Sequence, residues 1–385
     1  MMVFFREEMI SLEAGRHVWR SPIFPVCPGR FYRISYDARL KEKKAYLAFA
    51  GVNRSIAWGR ELGSKHGALT ATDFTSVEVS AEWSAHAFFS QALFHAAEGF
   101  VRFETIDRPL EVRGLRVEIA EGKEVCRWVH GLLQRLPMAP RCPGKGGKET
   151  RKRLAAGGTL RVLVLGDSAM NDFGHAPWAP LLEEVFPGTK VEVFFAVGAS
   201  TGMREWNRPR DFPEKDLSWE EAVLKPDPHL VLIGGMSNGG AEEAFGQVLR
   251  RVRRDLPGAE MILVTRPPLL SECLRYRTIQ RWEQEISAVR EERRVLRRLA
   301  RGHAAGWMDG GHYWLEQLRT VRAAGIEPDD FYRDDHHISA LGRAVWARMT
   351  RDFFTASREP FWQRLKGRMA GRWRDSCQAG ASFLR

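Results

Sequence analysis

Leu160-Arg161-Val162-Leu163-Val164-Leu165-Gly166-Asp167-Ser168 is the stretch that decides the fold. Val162 to Leu165 form a continuous apolar run, the pattern of a strand buried on both faces of a parallel sheet. Gly166-Asp167-Ser168 then sets a hydroxyl at the strand's C-terminal edge, where ligands sit in open α/β sheets. Taken alone, such a tripeptide at a strand end is most often a plain turn, so its weight comes from three further blocks downstream. Val191-Glu192-Val193-Phe194-Phe195-Ala196-Val197 reads as a second buried strand running into Gly198-Ala199-Ser200-Thr201-Gly202. Leu230-Val231-Leu232-Ile233 reads as a third, running into Gly234-Gly235-Met236-Ser237-Asn238-Gly239-Gly240. Each glycine loop is by itself an ordinary βα turn. Both nevertheless follow parallel-type strands and emerge on the edge that carries Ser168. Backbone N–H groups of a glycine loop and an Asn carboxamide are the donors an oxyanion hole uses. Far downstream, Arg333-Asp334-Asp335-His336-His337-Ile338-Ser339-Ala340-Leu341-Gly342 supplies an Asp-x-x-His pair before a helical pattern. A serine, a histidine and an aspartate are the parts of an acyl-transfer triad.

These four blocks, in this order, resemble the SGNH (GDSL) hydrolase family over roughly residues 159 to 356. Ser168 matches the nucleophile, Gly198 the glycine of the second block, Asn238 the asparagine of the third, and Asp334 and His337 the acid and base of the last. The resemblance implies an oxyanion hole made of the Ser168 N–H, the Gly198 N–H and the Asn238 amide. Two departures stand out. The family's second block has an Asn before its glycines where Phe195 or Ala196 stands here, which leaves Gly202 as the alternative to Gly198. The third block has one residue more than Gly-x-Asn, as Gly235-Met236-Ser237-Asn238. Asp335 and His336 are adjacent rivals, but Asp-x-x-His before Ile338-Ser339-x-x-Gly342 copies the family block with Asp334 and His337. Asp334-Asp335-His336-His337 as a metal site is disfavoured because adjacent residues rarely supply several ligands. No metal and no cofactor are expected.

Strand–helix alternation continues downstream, with strands near 160–165, 191–197, 230–233, 261–265 and 304–309. Helical patterns lie at about 178–186, 219–224, 241–256, 276–302 and 340–356. This is the signature of a three-layer α/β/α, doubly wound parallel sheet. The first 125 residues read differently, as short alternating strands: Tyr46, Ala48 and Ala50 against Leu47 and Phe49; Val77 and Val79; Val101, Phe103 and Thr105; Leu115, Val117 and Ile119. That pattern predicts an antiparallel β-sandwich. Phe31 to Ala38 and Leu115 to Ile119 resemble the first and last strands of carbohydrate-binding jelly-roll modules. Trp58, Trp83, Phe88 and Phe89 are aromatics of the kind that stack on sugar rings, with core packing the commoner role. The expected organisation is a sandwich over 1–125, a helix-like bridge and linker over 126–158, the hydrolase domain over 159–356 and a basic tail over 357–385. Within the linker, the Pro, Gly and Lys of 137–148 predict an exposed, mobile connection.

Composition narrows the classes. A net charge of +11 invites a nucleic-acid reading. The arginines, however, concentrate in Leu249–Arg254 and Arg290–Leu299, where apolar residues recur at helical spacing and no aromatics interleave as a stacking platform requires. Nucleic acid is therefore not expected as a partner, although an acidic polymer remains open. No run approaches the length of a membrane span. Five scattered cysteines lack metal-type spacing and point to reduced thiols. The N-terminal residues lack the basic leader, apolar run and cleavage site of a signal peptide. The expected location is therefore cytoplasmic, or extracytoplasmic if the start codon is mis-called. Tyr276, Trp307, His312, Tyr313 and Trp314 are rim candidates for the site, with core packing the commoner role. The resemblance to SGNH hydrolases implies a carboxylic-ester hydrolase, and its pairing with a sandwich that resembles sugar-binding modules implies an O-acetylated carbohydrate as substrate. The alternatives are a general esterase, thioesterase or acyltransferase, and a glycan-binding scaffold that has lost catalysis.

Overall fold

The computed structural model describes residues 3–12, 17–40, 53–58, 72–75, 79–92, 94, 98–105, 109–137, 142, 144–197, 218–235, 242–270, 287–332 and 336–355. Two antiparallel sheets form the N-terminal part. One runs in the order β1 (Val3–Leu12), β9 (Leu110–Ala120), β4 (Phe31–Leu40), β7 (Ser84–Gln91). The other runs β2 (His17–Arg20), β8 (Glu98–Thr105), β5 (Asn53–Trp58), β6 (Thr72–Thr75), with the short β3 (Phe24–Pro25) also on β8. Strand β4 shows why they stack. Tyr32, Ile34, Tyr36 and Ala38 point inward at every second position, and the residues between them are only half-buried. Tyr36 meets Phe103 of the opposite sheet edge-on at 5.1 Å. The sandwich read from period-2 alternation is thus present; the stretch 46–50 and Val77 lie outside the described residues.

The second part is the doubly wound sheet. Five parallel strands, β11 (Gly158–Gly166), β12 (Thr189–Val197), β13 (Leu230–Gly234), β14 (Glu260–Val264) and β15 (Gly306–Met308), lie in the order β12-β11-β13-β14-β15. Strand order reverses between β11 and β13, which makes their C-terminal ends the topological switch point where α/β sheets open a crevice. The apolar runs divide their side chains between two cores. Val162, Val164, Leu230, Leu232, Ile262 and Val264 face one core, while Leu163, Leu165, Val231, Ile233, Met261 and Leu263 face the other. The first face is covered by α3 (Ser168–His175), α4 (Trp178–Val185), α7 (Gly310–Ala323) and α8 (Ala340–Thr355). The second is covered by α5 (Glu242–Asp255), α6 (Ser287–Gly302) and a short π-helical segment, Glu220–Leu224.

The bridge α1 (Gly122–Leu133) buries Val125, Cys126, Val129 and Leu133 and packs on α4. Phe89 of the sandwich meets Trp128 at 5.4 Å, and β6 packs against α3. Residues Met1–Phe354 accordingly share one continuous unit. The stretch 137–148, expected to be an exposed and mobile connection, differs in part. Gly144–Lys145 forms β10, paired antiparallel with β15 at the sheet edge, and α2 (Lys148–Ala156) comes next. The physical reason is close approach: a Cβ on Gly144 would stand 2.6 Å from the Trp307 carbonyl oxygen and 2.5 Å from the Phe353 ring. Here glycine serves packing, where composition suggested flexibility. Residues 138–141 and 143, and the tail from 356 onward, lie outside the described residues. No helix among the described residues is long and apolar enough to cross a membrane.

Candidate active site

Strand β11 ends in Gly166, and the chain turns straight into α3. Gly166 has φ +156°, and a Cβ there would lie 2.1 Å from the Gly234 carbonyl oxygen, so only glycine lets β11 and β13 close at their ends. Asp167 is the N-cap of α3: its Oδ1 accepts the Ala169 N–H at 3.0 Å. Its carboxylate packs on Gly235, where a Cβ would stand 2.7 Å from the Asp167 Cγ. Asp167 is 2% exposed, and this buried cap leaves Ser168 as the first residue of the helix. The N–H groups of a helix's first turn have no acceptor inside the helix, and that end carries partial positive charge. The local fold thus sets the Ser168 hydroxyl and amide at the switch point, beside an environment suited to negative charge.

Strands β12 and β13 flank β11 on either side, with Gly166 registered to Val197 and Leu165 to Ile233. Gly198 comes directly after Val197, so the strands leading to both oxyanion-hole candidates end beside Ser168. Gly198, Gly202 and Asn238 themselves lie outside the described residues, as do Asp334 and Asp335.

The loop carrying His337 is closed by short-range bonds. Tyr332 and Ile338 form an antiparallel bridge, and the Ser339 N–H donates to the Phe331 carbonyl at 2.9 Å. Ser339 Oγ donates to the Asp330 carbonyl at 2.6 Å and accepts the Gly342 N–H at 3.2 Å, capping α8. A Cβ on Gly342 would stand 2.4 Å from the Phe331 oxygen. This is why Ser339-x-x-Gly342 sits where it does: one residue caps the helix and the other lets the loop lie against it. The Tyr332 hydroxyl donates to the Pro268 carbonyl at 2.7 Å, fixing the loop to the segment after β14. His337 is half-buried and His336 exposed.

The residue that joins these pieces is Asp172, which sequence reasoning passed over. It lies four positions after Ser168 on α3, so the two share a helix face about 6 Å apart along the axis. Asp172 Oδ2 accepts the N–H of Ile338, the residue after His337, at 3.2 Å, and Oδ1 accepts from Arg343 of α8 at 3.0 Å. Both residues are buried, at 2% and 4% exposure. Burial pushes the Arg343 guanidinium down to about 9, which still leaves it charged at neutral pH. The carboxylate therefore ties the helix of Ser168, the loop of His337 and the start of α8 to one point. Aromatic rings support the tie from below: Phe173 of α3 meets Trp346 at 5.0 Å, Trp346 meets Trp314 at 6.1 Å, and Trp314 meets Tyr332 at 5.7 Å. The signal available in the sequence was an acid among the apolar residues Ala169, Met170 and Phe173, just after the Gly-Asp-Ser block.

Of the rim candidates, Tyr313 and Trp314 are core residues with no exposure, and Trp307 lies beneath Arg297 at 4.2 Å. Tyr276 lies outside the described residues. Among the sandwich aromatics, Phe88 is core, Phe89 packs on Trp128, and Trp83 carries the Arg39 and Arg113 guanidinium groups at 4.7 and 4.2 Å.

No protein-family model and no curated protein sequence matches the chain. Solved structures do, and the SGNH (GDSL) likeness read from the sequence recurs among them. A two-domain esterase (CEX) active on acetylated mannans matches at 18% identity and TM-score 0.38, over 56% of this chain and 55% of that one. The chain thus spans about half the length of that esterase. A GDSL-like lipase from Parabacteroides merdae matches at 14% identity and TM-score 0.37, over 51% of this chain and 96% of that one. A carbohydrate esterase family 2 enzyme with a carbohydrate-binding domain, from Corynascus thermopiles (Myceliophthora fergusii), matches at 11% identity and TM-score 0.34, over 90% and 98%. At TM-scores below 0.5 these likenesses carry no functional argument, and function has to be read from the chain's own residues. Those residues define a doubly wound α/β domain, with a β-sandwich before it and a serine at its switch point.

Proposed function

We propose that the protein is a serine esterase. Ser168 attacks the acyl carbonyl while His337 takes its proton, and Asp334 accepts the other imidazole N–H and fixes the tautomer. The N–H of Ser168, the N–H of Gly198 and the Asn238 amide hold the oxyanion. The alcohol leaves with the proton from His337. Water, deprotonated by the same histidine, then cleaves the acyl-serine and releases the acid. The observation that carries the reading is the Asp172 tie, because the helix that begins at Ser168 holds the backbone amide next to His337. The substrate is proposed to be an O-acetylated carbohydrate. This narrower reading is supported by the sandwich, whose β6 borders α3, together with its sequence likeness to sugar-binding modules; the fold by itself does not fix a substrate.

A panel of esters, from acetyl to long acyl chains and including acetylated sugars and thioesters, tests it, with Ser168→Ala as the blank. Fastest release of acetate from acetylated glycans is the expected result. Preference for long acyl chains or thioesters would replace the substrate class. Glycan binding without turnover of any ester would overturn the enzyme.

A further inference from the structure

All the arginines of α6 lie on one stripe. Arg290, Arg293, Arg294, Arg297, Arg298 and Arg301 together line an open groove of about 430 Å³. At 100° per residue they occupy an arc of roughly 140° beside the face that buries Leu296, Leu299 and Ala300. Like charges three and four positions apart destabilise a helix, so folding alone does not favour this arrangement. A mixed-sign surface would solvate as well. Three carboxylates meet the stripe. Asp309 is shared by Arg293 and Arg297 at 2.7 and 2.9 Å, Glu291 holds Arg294 at 2.8 Å, and Glu242 pairs with Arg298. Among the described residues, neither Arg290 nor Arg301 meets a carboxylate. A surplus of positive charge therefore runs about 16 Å along the helix.

The stripe begins at the edge of the sheet that carries Ser168. α6 comes after β14 and runs back against the strand direction. Its first turns are fixed to the C-terminal end of β14 by Arg266, which donates its backbone N–H to Glu292 at 3.2 Å and pairs with the same carboxylate at 3.3 Å. We propose that this stripe is a docking track for a polymer bearing repeated carboxylates, an acidic polysaccharide, whose esters are thereby presented at the Ser168 edge. The proposal rests on the esterase reading for the second clause and on the groove alone for the first. Guanidinium groups suit carboxylates because each offers two parallel donors to two oxygens. Nucleic acid fits less well: among the described residues the ring at the stripe, Trp307, is covered by Arg297 and offers bases no open platform. A membrane surface fits less well too. The large apolar residues exposed among the described residues are Met9, Ile23 and Val185, none of them on α6.

The test uses the full chain and polygalacturonate, with neutral dextran, duplex DNA and phosphatidylserine vesicles as comparisons. Binding is followed across a salt series, alongside hydrolysis of 4-nitrophenyl acetate. The wild type is expected to bind polygalacturonate, more weakly as salt rises, and not dextran. R290Q/R294Q/R301Q should bind at least tenfold more weakly, and R290Q and R301Q singly about threefold, all with nitrophenyl acetate turnover unchanged. Equal binding by wild type and triple variant, or tighter wild-type binding to DNA or vesicles than to polygalacturonate, would overturn the track. Absence of nitrophenyl acetate turnover in a wild type that binds the polymer would strike the esterase reading and leave the track standing.

Discussion

Removing the Asp172 carboxylate separates a structural role from a positioning one. Asp172→Ala takes the Asp172 carboxylate away from the buried Arg343 guanidinium and leaves the Ile338 N–H without the acceptor it has on that carboxylate. Breaking a buried ion pair from one side costs about 3–5 kcal/mol, and orphaning a buried amide about 1–3 kcal/mol. The two losses share a site and do not add fully, so the expected destabilisation is about 4–6 kcal/mol. That is a large share of the roughly 5–15 kcal/mol that holds a domain folded. Replacing both partners, as Asp172→Ala with Arg343→Met, removes both buried charges and should restore most of that stability, because an apolar pair is often as stable as a buried ion pair. It does not restore the acceptor for Ile338. The His337 loop then loses its anchor to the Ser168 helix, and misplacement by about 1 Å is worth about 10²-fold in rate. Urea unfolding and aryl acetate kinetics on the two variants are the assay. The double variant should unfold near the wild-type midpoint yet show kcat reduced about 30- to 100-fold with KM within threefold. A double variant that is both stable and fully active would refute the positioning role. Asp172→Ala losing under 1 kcal/mol would refute the pair as a structural tie.

Gly166→Ala should cost about 3 kcal/mol or more, through backbone strain at φ +156° and the clash with the Gly234 oxygen. Gly131→Ala, on the exposed face of α1 with nothing within 4 Å, should stabilise by about 0.5–1 kcal/mol; thermal unfolding that ranks the two the other way contradicts the packing at the strand ends. His229 is held below its ordinary value by burial and by Arg153 and Arg161. Between that depressed value and about 6.5 the unfolded chain binds a proton that the folded chain does not, so stability present above about pH 6.5 is lost as pH falls. His229→Asn keeps an acceptor for the Arg161 N–H and should flatten the decline of the urea midpoint between pH 7 and pH 5; parallel curves would remove His229 as a cause. His337→Ala should lose three or more decades of turnover and His336→Ala less than tenfold, and the reverse order would move the general base by one residue.

Much of the scaffold was legible because buried parallel strands are written as apolar runs. Val162–Leu165, Val191–Val197 and Leu230–Ile233 all lie within observed strands, and the ends of those strands lie side by side at the switch point. The sandwich was legible for the complementary reason, since alternation such as that of Leu115 and Val117, buried on either side of the exposed Arg116, marks one wet face and one dry. Helix α3 was not foreseen. Its opening Gly-Asp-Ser is turn chemistry, and Gly174 near its end weakens the helical pattern, while Asp167 as cap and the packing of Phe173 override both. α7 was hidden likewise by Gly310-Gly311 at its start, where Asp309 accepts the His312 N–H as N-cap. Asp172 was missed because its partners, Ile338 and Arg343, lie more than 160 positions away. Spacing within a sequence reports neighbours along an element, and only the fold brings α3 and α8 together.

The central claim is that Ser168 is the nucleophile. An organophosphonate probe that carries an aryl leaving group forms a stable phosphonyl ester with an activated serine, and peptide mass spectrometry locates it. The mass addition should fall on the peptide containing Ser168, in step with loss of aryl acetate turnover, and should vanish in Ser168→Ala and fall sharply in His337→Ala. Labelling at Ser200 or Ser237, or full inactivation with Ser168 unmodified, would contradict the account.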